Sequence, residues 1–439
     1  MPYLRKPTRK LSDCPFKTHK HADVQQYFNQ KNMLSKKRYM ILMLVFSLLS
    51  YTNTNRLSDN EIFTEENIIS VFPKNEDMNH FDLSPYLDSI KFVKLEFTDE
   101  SIIGKITKSV IYEDRIYILD DQTNSLFIFD MEGKYIHKIS DVGQGPGEYI
   151  QLDFFDIDRE NKQIVLTDLM AYWIMRYDME GNFLYRKEIP VWCEGVSVLP
   201  NNGIVLYANF RNNSEKLSQE YNLIFLDSLM NIKKTYFPYN SKDFDLSRSP
   251  SSSLRGQFYA FENNLYFSFP WGNRVYLLSG DSIVNKYQFN FGDDILPIEN
   301  PVNPELFTIR LTKGRYNGLM TPLMENERVL FFSMRTNLNL PYLFSYSVIY
   351  SKESGNQISS FSLAFEDAFF SSSFLTGYGP WIVSEIQSDF LVNWKESYIK
   401  NLKNKTTPIG RFTKELLAFT DELTEEDNPV LMFYKLNPF

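Results

Sequence analysis

Residues 118–139 read ILDDQTNSLFIFDMEGKYIHKI, and residues 166–187 read LTDLMAYWIMRYDMEGNFLYRK. Asp120 falls on Asp168, and Asp130-Met131-Glu132-Gly133 falls on Asp178-Met179-Glu180-Gly181, at a constant offset of 48 residues. One DMEG is an ordinary hairpin turn. An upstream Asp and two flanking apolar strands kept in the same register make a repeat. Upstream of the first copy, VIYEDRIYIL (110–119) folds back at Glu113-Asp114. The DMEG hairpin follows, its Gly supplying the positive φ that a tight turn needs. Four strands in about 48 residues is the size of one β-propeller blade.

Fainter copies continue the series. VSVLPNNGIVLYA (196–208) and LIFLDSLMNIKKTYF (223–237) form one pair of hairpins; YAFENNLYFSF (259–269) and VYLLSGDSIVNKYQF (275–289) form another. MENERVLFFSM (324–334) with YLFSYSVIYSKESGNQISSFSL (342–363) makes a fifth unit, and GPWIVSEI (379–386) opens a sixth. The reading is an all-β, six-bladed propeller of four-stranded antiparallel blades over residues 86–439. Between 388 and 428 the period changes: Trp394, Tyr398 and Leu402, then Phe412, Leu416 and Phe419, follow helical spacing. Asn428-Pro429 ends this helical insertion, and Val430–Leu436 returns as a strand. A blade alone leaves an apolar face and two bare edges, which a closed ring covers. The first strand, Lys91–Phe97, and the last, Val430–Leu436, are expected to share one blade and latch the ring.

Residues 126–178, with GQGPGEY at 143–149 and EDNPVL at 426–431 followed by Tyr434-Lys435, resemble the secreted six-bladed β-propeller proteins of Bacteroidetes with NHL-like repeats. The resemblance covers roughly 86–439 and is strongest in the first two blades and at the end. It implies the same ring, an exported protein and a lipoprotein signal, and it transfers fold and compartment more than activity.

The amino terminus agrees on export. MLSKKRYMILMLVFSLLSYTNTN (33–55) is a basic segment, an apolar run and then small polar residues, the order of a secretory signal. The apolar run is too short for an ordinary membrane span of about 20 residues. Residues 1–32 read as an upstream extension with Met33 a candidate start, 33–52 as signal peptide or anchor, and 53–85 as a polar tether. Tyr51 stands where a lipobox would place its Cys, so cleavage and retained anchoring both stay open. The expected location is the periplasm, the outer membrane or the exterior, with membrane contact through this segment alone.

Residues 1–40 carry ten Lys/Arg and two acids, so the remaining chain holds 46 − 10 = 36 bases against 55 − 2 = 53 acids. A body at −17 argues against nucleic-acid binding. Two Cys and four His exclude a disulfide scaffold and leave little for zinc.

Candidate site residues follow from chemistry. Gly143, Gly145, Pro146 and Gly147 lack a Lys-Ser/Thr ending, so they read as an inter-blade connector built on a type II turn and not as a phosphate loop. Glu148 and Tyr149 then become candidates to face the central channel. Trp173, Trp192, Trp271 and Trp381 could form a stacking face for a sugar. Asp120 and Asp168, with Asp121, Asp156 and Asp158, could gather at the axis and hold calcium through oxygen. Two functions compete. One is a binding protein or scaffold that recognises a protein or glycan through one end of the ring, without a cofactor. The other is a calcium-dependent propeller hydrolase or lyase of the lactonase or arylesterase type. Converging axial carboxylates would favour the second.

Overall fold

In the computed structural model, the described residues are 68–71, 80–200, 202–243, 257–293, 295–296, 298, 316–320, 323–335, 345–366, 368–370, 374–402 and 408–439. The extension at 1–32 and the leader at 33–52 lie outside them. Among the described residues, no helix is long and apolar enough to cross a membrane.

The repeat folds as read. Blade one runs Ile106–Tyr112, Arg115–Asp120, Ser125–Asp130 and Tyr135–Ile139, in sequence order from the axis outward. Blade two is Phe154–Asp158, Gln163–Asp168, Trp173–Tyr177 and Phe183–Glu188. Blade three is Gly195–Val198, Ile204–Tyr207, Glu220–Leu226 and Ile232–Tyr239; blade four is Phe258–Phe261, Asn264–Ser268, Arg274–Ser279 and Ser282–Asn290. Blade five begins with two short segments, Gly318–Leu319 and Met324–Glu325, both paired with Val329–Arg335, and continues through Ser345–Ser351 and Gln357–Ser360. Strands are called a to d from the axis outward. The b–c and d–a connections lie at one end of the ring, the loop end; the a–b and c–d turns lie at the other.

Blade six closes the circle. Phe374–Tyr378, Trp381–Ile386 and Val430–Leu436 supply strands a to c, and Leu87–Lys94 supplies strand d. The latch therefore joins the first strand of the six blades to the last, with Val430 opposite Lys94 and Leu436 opposite Leu87. The first strand begins four residues earlier than its alternation suggests, and Leu95–Phe97 already belongs to the loop leaving it. Two helices, α1 (Ser388–Leu402) and α2 (Arg411–Thr420), are inserted between strands b and c of this blade. Their apolar stripes bury Leu391, Tyr398, Phe412 and Leu416, and Phe92 of strand d stacks on Phe419 at 5.1 Å.

Among the described residues the apolar core divides into six clusters, each joining facing sheets of two adjacent blades. Tyr117, Leu119 and Ile128 of blade one pack with Phe155, Ile164 and Leu166 of blade two, for example. Since each blade hides its faces only against neighbours, folding cooperativity runs around the ring.

The c–d turns show how the repeat is encoded. Asp130 accepts from the amides of Glu132 (3.0 Å) and Lys134 (2.8 Å). Asp178 treats Glu180 and Asn182 the same way, and Asp227 in blade three treats Leu229 and Asn231 so. The position three residues after the Asp is left-handed each time: Gly133 at φ +84°, Gly181 at +87° and Met230 at +68°. The carboxylate thus sets the turn even where Gly is missing. A cation of the preceding blade staples each turn: Lys91 donates to the Met131 carbonyl (2.9 Å), Arg115 to Met179 (2.7 Å) and Lys187 to Ser228.

The reading of 53–85 as a tether is corrected where residues are described. Ile68–Ser70 adds a fifth strand to blade four, parallel to Gln288–Asn290, and His80–Asp82 pairs in parallel with Ser362–Ala364. Ile69 and Val71 are buried there, so a short apolar IIS-V alternation inside a polar stretch outweighed its surroundings.

Candidate functional site

The Gly-rich connector forms the turn its sequence suggests. The Glu148 amide donates to the Gly145 carbonyl at 3.2 Å, and Gly147 takes φ +80°. The Glu148 carboxylate folds back onto the Gly145 amide at 2.7 Å, closing its own loop. Tyr149 is 1% exposed and donates its hydroxyl to the carbonyls of Asn124 (2.9 Å) and Ile139 (3.1 Å). From blade two, Tyr177 reaches the Gly147 carbonyl (2.8 Å) and Arg186 the Gly145 carbonyl (3.1 Å). Glu148 and Tyr149 therefore stand in a clamp between blades one and two, away from the channel.

The aspartates are also placed by backbone donors. Asp120 is fully buried and accepts from the amides of Gly104, Lys105, Gln122 and Thr123 and from the Thr123 hydroxyl. Asp168, its repeat mate, accepts from Ile150 (2.6 Å) and Ala171 (2.8 Å). Each pins the loop entering its own blade, and amide dipoles aimed at these oxygens oppose a cation there. Asp158 forms a buried pair with Arg176 at 2.5 Å, and Asp121 sits 3.6 Å from Lys105. Asp156 alone of the five lines the axis. Among the described residues no group of three or more His, Cys, Asp or Glu is arranged to hold a metal.

The four tryptophans do not share a face. Trp271 is buried in the core cluster of blades three and four, edge-on to Tyr316 at 6.1 Å. Trp381 sits at the turn end, packed against Phe433. Trp173 carries Arg186 over its ring at 4.4 Å. Trp192 differs: it is 47% exposed on the loop between blades two and three. The Asn213 side chain brackets its backbone, accepting from the Trp192 amide (2.8 Å) and donating to its carbonyl (3.0 Å). Tyr172 braces the indole edge-on at 4.8 Å. Next to it in sequence, burial pushes the Cys193 thiol up to about 12, leaving it inert as a nucleophile.

Other exposed apolar side chains gather at the same end. Met170 (63% exposed) lies on the b–c loop of blade two that also carries Tyr172. Val142 (60%) and Ile150 lie on the loop between blades one and two, and Phe97 and Ile102 on the loop into blade one. Single exposed apolar residues are ordinary; a series on successive loops at one end of the ring is what a contact surface needs. Separate hydropathy signals on distant loops hid this from the sequence, since only closure sets those loops side by side.

Along the axis the six a strands enclose a cavity of ≈ 240 Å³. Side chains stitch part of its wall. Lys108 donates to the Phe155 carbonyl (2.8 Å), and Asp156 accepts from the Ser197 hydroxyl and the Val198 amide (3.1 Å), linking blades one to three. Glu325 of blade five accepts from Tyr287 (3.1 Å), with Lys352 at 3.9 Å. Burial lowers the Lys108 ammonium against the pull of Asp156, and burial raises the Glu325 carboxyl against Lys352. The sequence marks Asp156 but gives no sign of Lys108, Tyr259 or Glu325, whose strands meet only through closure.

At the seam between blades six and one, Glu385 faces the apolar cluster on strand b. Burial raises its carboxyl to about 7, with Lys105 opposing, and one carboxylate oxygen has no hydrogen-bond partner. The folded value lies above the ordinary 4.5. Its stabilising effect is therefore complete below about pH 4.5 and lost as pH rises through 7. Glu385→Gln is expected to gain on the order of 2 kcal/mol over the parent at pH 8, and to lose most of that advantage at pH 5. Thermal unfolding at both values measures it; an equal effect at both would refute the linkage.

Blades, latch and inserted helices define a six-bladed β-propeller whose loop end is apolar and whose axis is polar. Residues 66–435 match the family described as Domain of unknown function (DUF4934), and the chain belongs to that family. Among solved structures, a presumed exported protein of Bacteroides fragilis is similar at 20% identity, covering 84% of this chain and 99% of its own, with a TM-score of 0.64. A member of the DUF4221 family from Bacteroides vulgatus is similar at 9% identity over 80% of this chain and 97% of its own, with a TM-score of 0.43. Virginiamycin B lyase of Staphylococcus aureus is similar at 12% identity over 62% of this chain and 73% of its own, with a TM-score of 0.32. The first likeness shows a shared fold. No curated protein matches the chain.

Proposed function

We propose that this chain is an exported, non-catalytic propeller that binds a protein partner through the loop end of blades one to three, with Trp192 as its anchor. Export rests on the leader sequence and the family resemblance. The binding reading rests on one observation: Trp192 is exposed while its backbone is clamped by Asn213 and its ring is braced by Tyr172. A large ring held ready loses little entropy on association and makes a natural hot spot. The company of Met170, Val142 and Ile150 favours a protein over a glycan, since aliphatic side chains offer a sugar no stacking face. The calcium-hydrolase alternative draws no support from Asp120 and Asp168, whose oxygens are already taken by backbone amides.

The test compares Trp192→Ala and Met170→Ser with Leu229→Ser, a control on the exposed c–d turn at the opposite end of blade three. Tagged chains are isolated from the native envelope, and associated proteins are quantified by mass spectrometry. Loop-end variants are expected to lose a specific partner at least tenfold while the control keeps it. Equal recovery with all three overturns the site. Binding of the parent to immobilised glycans, lost in Trp192→Ala, overturns the protein assignment.

A further inference from the structure

The axis carries a second feature, independent of the loop end. Its cavity of ≈ 240 Å³ continues into a groove of ≈ 330 Å³ at the turn end, between the a–b turns of blades two, three and four. Asp156, Arg159, Ala260 and Leu265 line both spaces and so form the neck between them. Glu160, Pro200, Asn263 and Asn264 on the groove are exposed, which gives the ring interior a path to solvent.

Arg159 stands at this neck, half-buried, directly after strand a of blade two. Its guanidinium lies over the Tyr112 ring at 5.6 Å and has no hydrogen-bond or ion-pair acceptor among the described residues. Stacking holds a guanidinium by its face and leaves the N–H groups of its edge open. The carboxylates around it are already engaged. Asp156 accepts from the Ser197 hydroxyl and from the amides of Ile157 (2.8 Å) and Val198 (3.1 Å). Asp153 accepts from the Leu169 amide (2.8 Å), and Asp158 pairs with Arg176. Glu325 has a side chain only 2% exposed, turned to Tyr287 and Lys352. Glu113, on the neighbouring turn, pairs with Lys162 at 2.9 Å. Glu160 is exposed at the rim, where water and salt screen it. The second cation of the lining, Lys108, donates to the Phe155 carbonyl, and its ammonium is lowered by burial and further by Arg159. An anion arriving at the neck relieves that repulsion.

The wall chooses the class of anion. A planar fork of N–H donors matches a carboxylate in two parallel bonds. Inward of the neck, Val110, Phe154, Phe258, Met324, Phe374 and Leu375 supply apolar wall. An apolar cavity of roughly 150 Å³ admits benzene, so ≈ 240 Å³ takes a ring with a short side chain. We infer that the neck and the axial cavity bind a small organic acid, its carboxylate on the Arg159 guanidinium and its apolar body inside the ring.

The test titrates the full chain with 3-phenylpropionate and hexanoate by calorimetry. Controls are 3-phenylpropionamide, which is neutral, phenethylamine, which is cationic, and sulfate, which has no apolar body. At least one acid is expected to bind at a single site, and phenylpropionamide at least tenfold more weakly than phenylpropionate. Arg159→Gln is expected to weaken the acid tenfold or more and to leave the amide unchanged, with Arg159→Lys in between. Ala260→Phe, which narrows the neck without changing its charge, is expected to abolish binding of the acid. Without probe, these variants are expected to melt near the parent temperature, because the guanidinium anchors no backbone and Ala260 is exposed. The comparison of acid with amide on the parent needs no variant at all. Four results overturn the inference: neither acid binds; amide or amine binds as tightly as the acid; acid binding survives Arg159→Gln; or sulfate binds as tightly as the acid, which would reduce the site to a bare anion site.

Discussion

A chain ending at Pro429 is expected to lose cooperative unfolding altogether. Removal of Val430–Phe439 deletes strand c of blade six, and with it the partner of both Trp381–Ile386 and Leu87–Lys94. Val430, Leu431, Met432, Phe433, Tyr434 and Leu436 are all buried. At roughly 1.5–3 kcal/mol for each large apolar side chain removed from water, their loss rivals the ~5–15 kcal/mol that holds an average domain together. The effect is not local, because clusters on both faces of blade six lose members and the first strand is left as a bare edge. Calorimetry and hydrogen exchange read the result: the parent gives one sharp transition, the truncated chain a broad or missing one. A truncated chain that keeps a sharp transition near the parent temperature would show that closure does not hold the ring.

The second large effect comes from one methyl group at Gly133. Among the glycines with left-handed φ, three give a comparison: Gly133 at +84°, Gly181 at +87° and Gly280 at +62°. They differ in what an added Cβ would meet. At Gly280 nothing lies within 4 Å, so Gly280→Ala carries only the conformational penalty, roughly 1 kcal/mol. At Gly181 the obstacle is the His137 ring, a side chain that can turn aside. At Gly133 the new carbon would overlap the Lys94 carbonyl oxygen, backbone of the latch strand, beside the Val93 side chain. That backbone is also tied to the turn, for the Glu96 amide donates to the Gly133 carbonyl at 2.8 Å. Gly133→Ala must therefore push blade one away from blade six, at a cost of about 3 kcal/mol or more. Denaturant unfolding of the three variants should rank Gly133→Ala well below Gly181→Ala, and Gly181→Ala below Gly280→Ala. Equal costs would show that φ alone decides, and that contact between turn and latch carries no weight.

Asn428 explains why the junction before the last strand is so specific. It is buried, its amide group donates to the carbonyls of Glu96 (2.8 Å) and Ser101 (2.6 Å), and its oxygen accepts from Ile103 (2.8 Å). One side chain at position 428 thereby fixes the loop that leaves the first strand, more than 320 residues earlier in the chain. In the sequence, Asn428-Pro429 reads as a helix stop. Its part in closure is invisible there, because hydrogen bonding to distant backbone leaves no periodic signature.

Local chemistry wrote the blades into the chain. An Asp that collects two amides, a residue three positions on that can turn left-handed, and alternating apolar strands are decided within a dozen residues, so their repetition could be read directly, and with it the ring. Loop residues such as Gly147 and the helical stripe Phe412, Leu416, Phe419 follow from the same short-range rules. What the neighbours of a side chain are after closure is a different kind of fact. Glu148 and Tyr149 became clamp residues, the tryptophans scattered to both ends, and Lys108, Ser109, Tyr259 and Glu325 met at one axis because six sheets, each unable to cover its own faces, had to stack in a circle. Backbone geometry is set by nearest neighbours in sequence, while burial, pairing and cavity walls are set by residues a hundred or more positions away; the first kind of information is carried by motifs, and the second exists only in the folded ring.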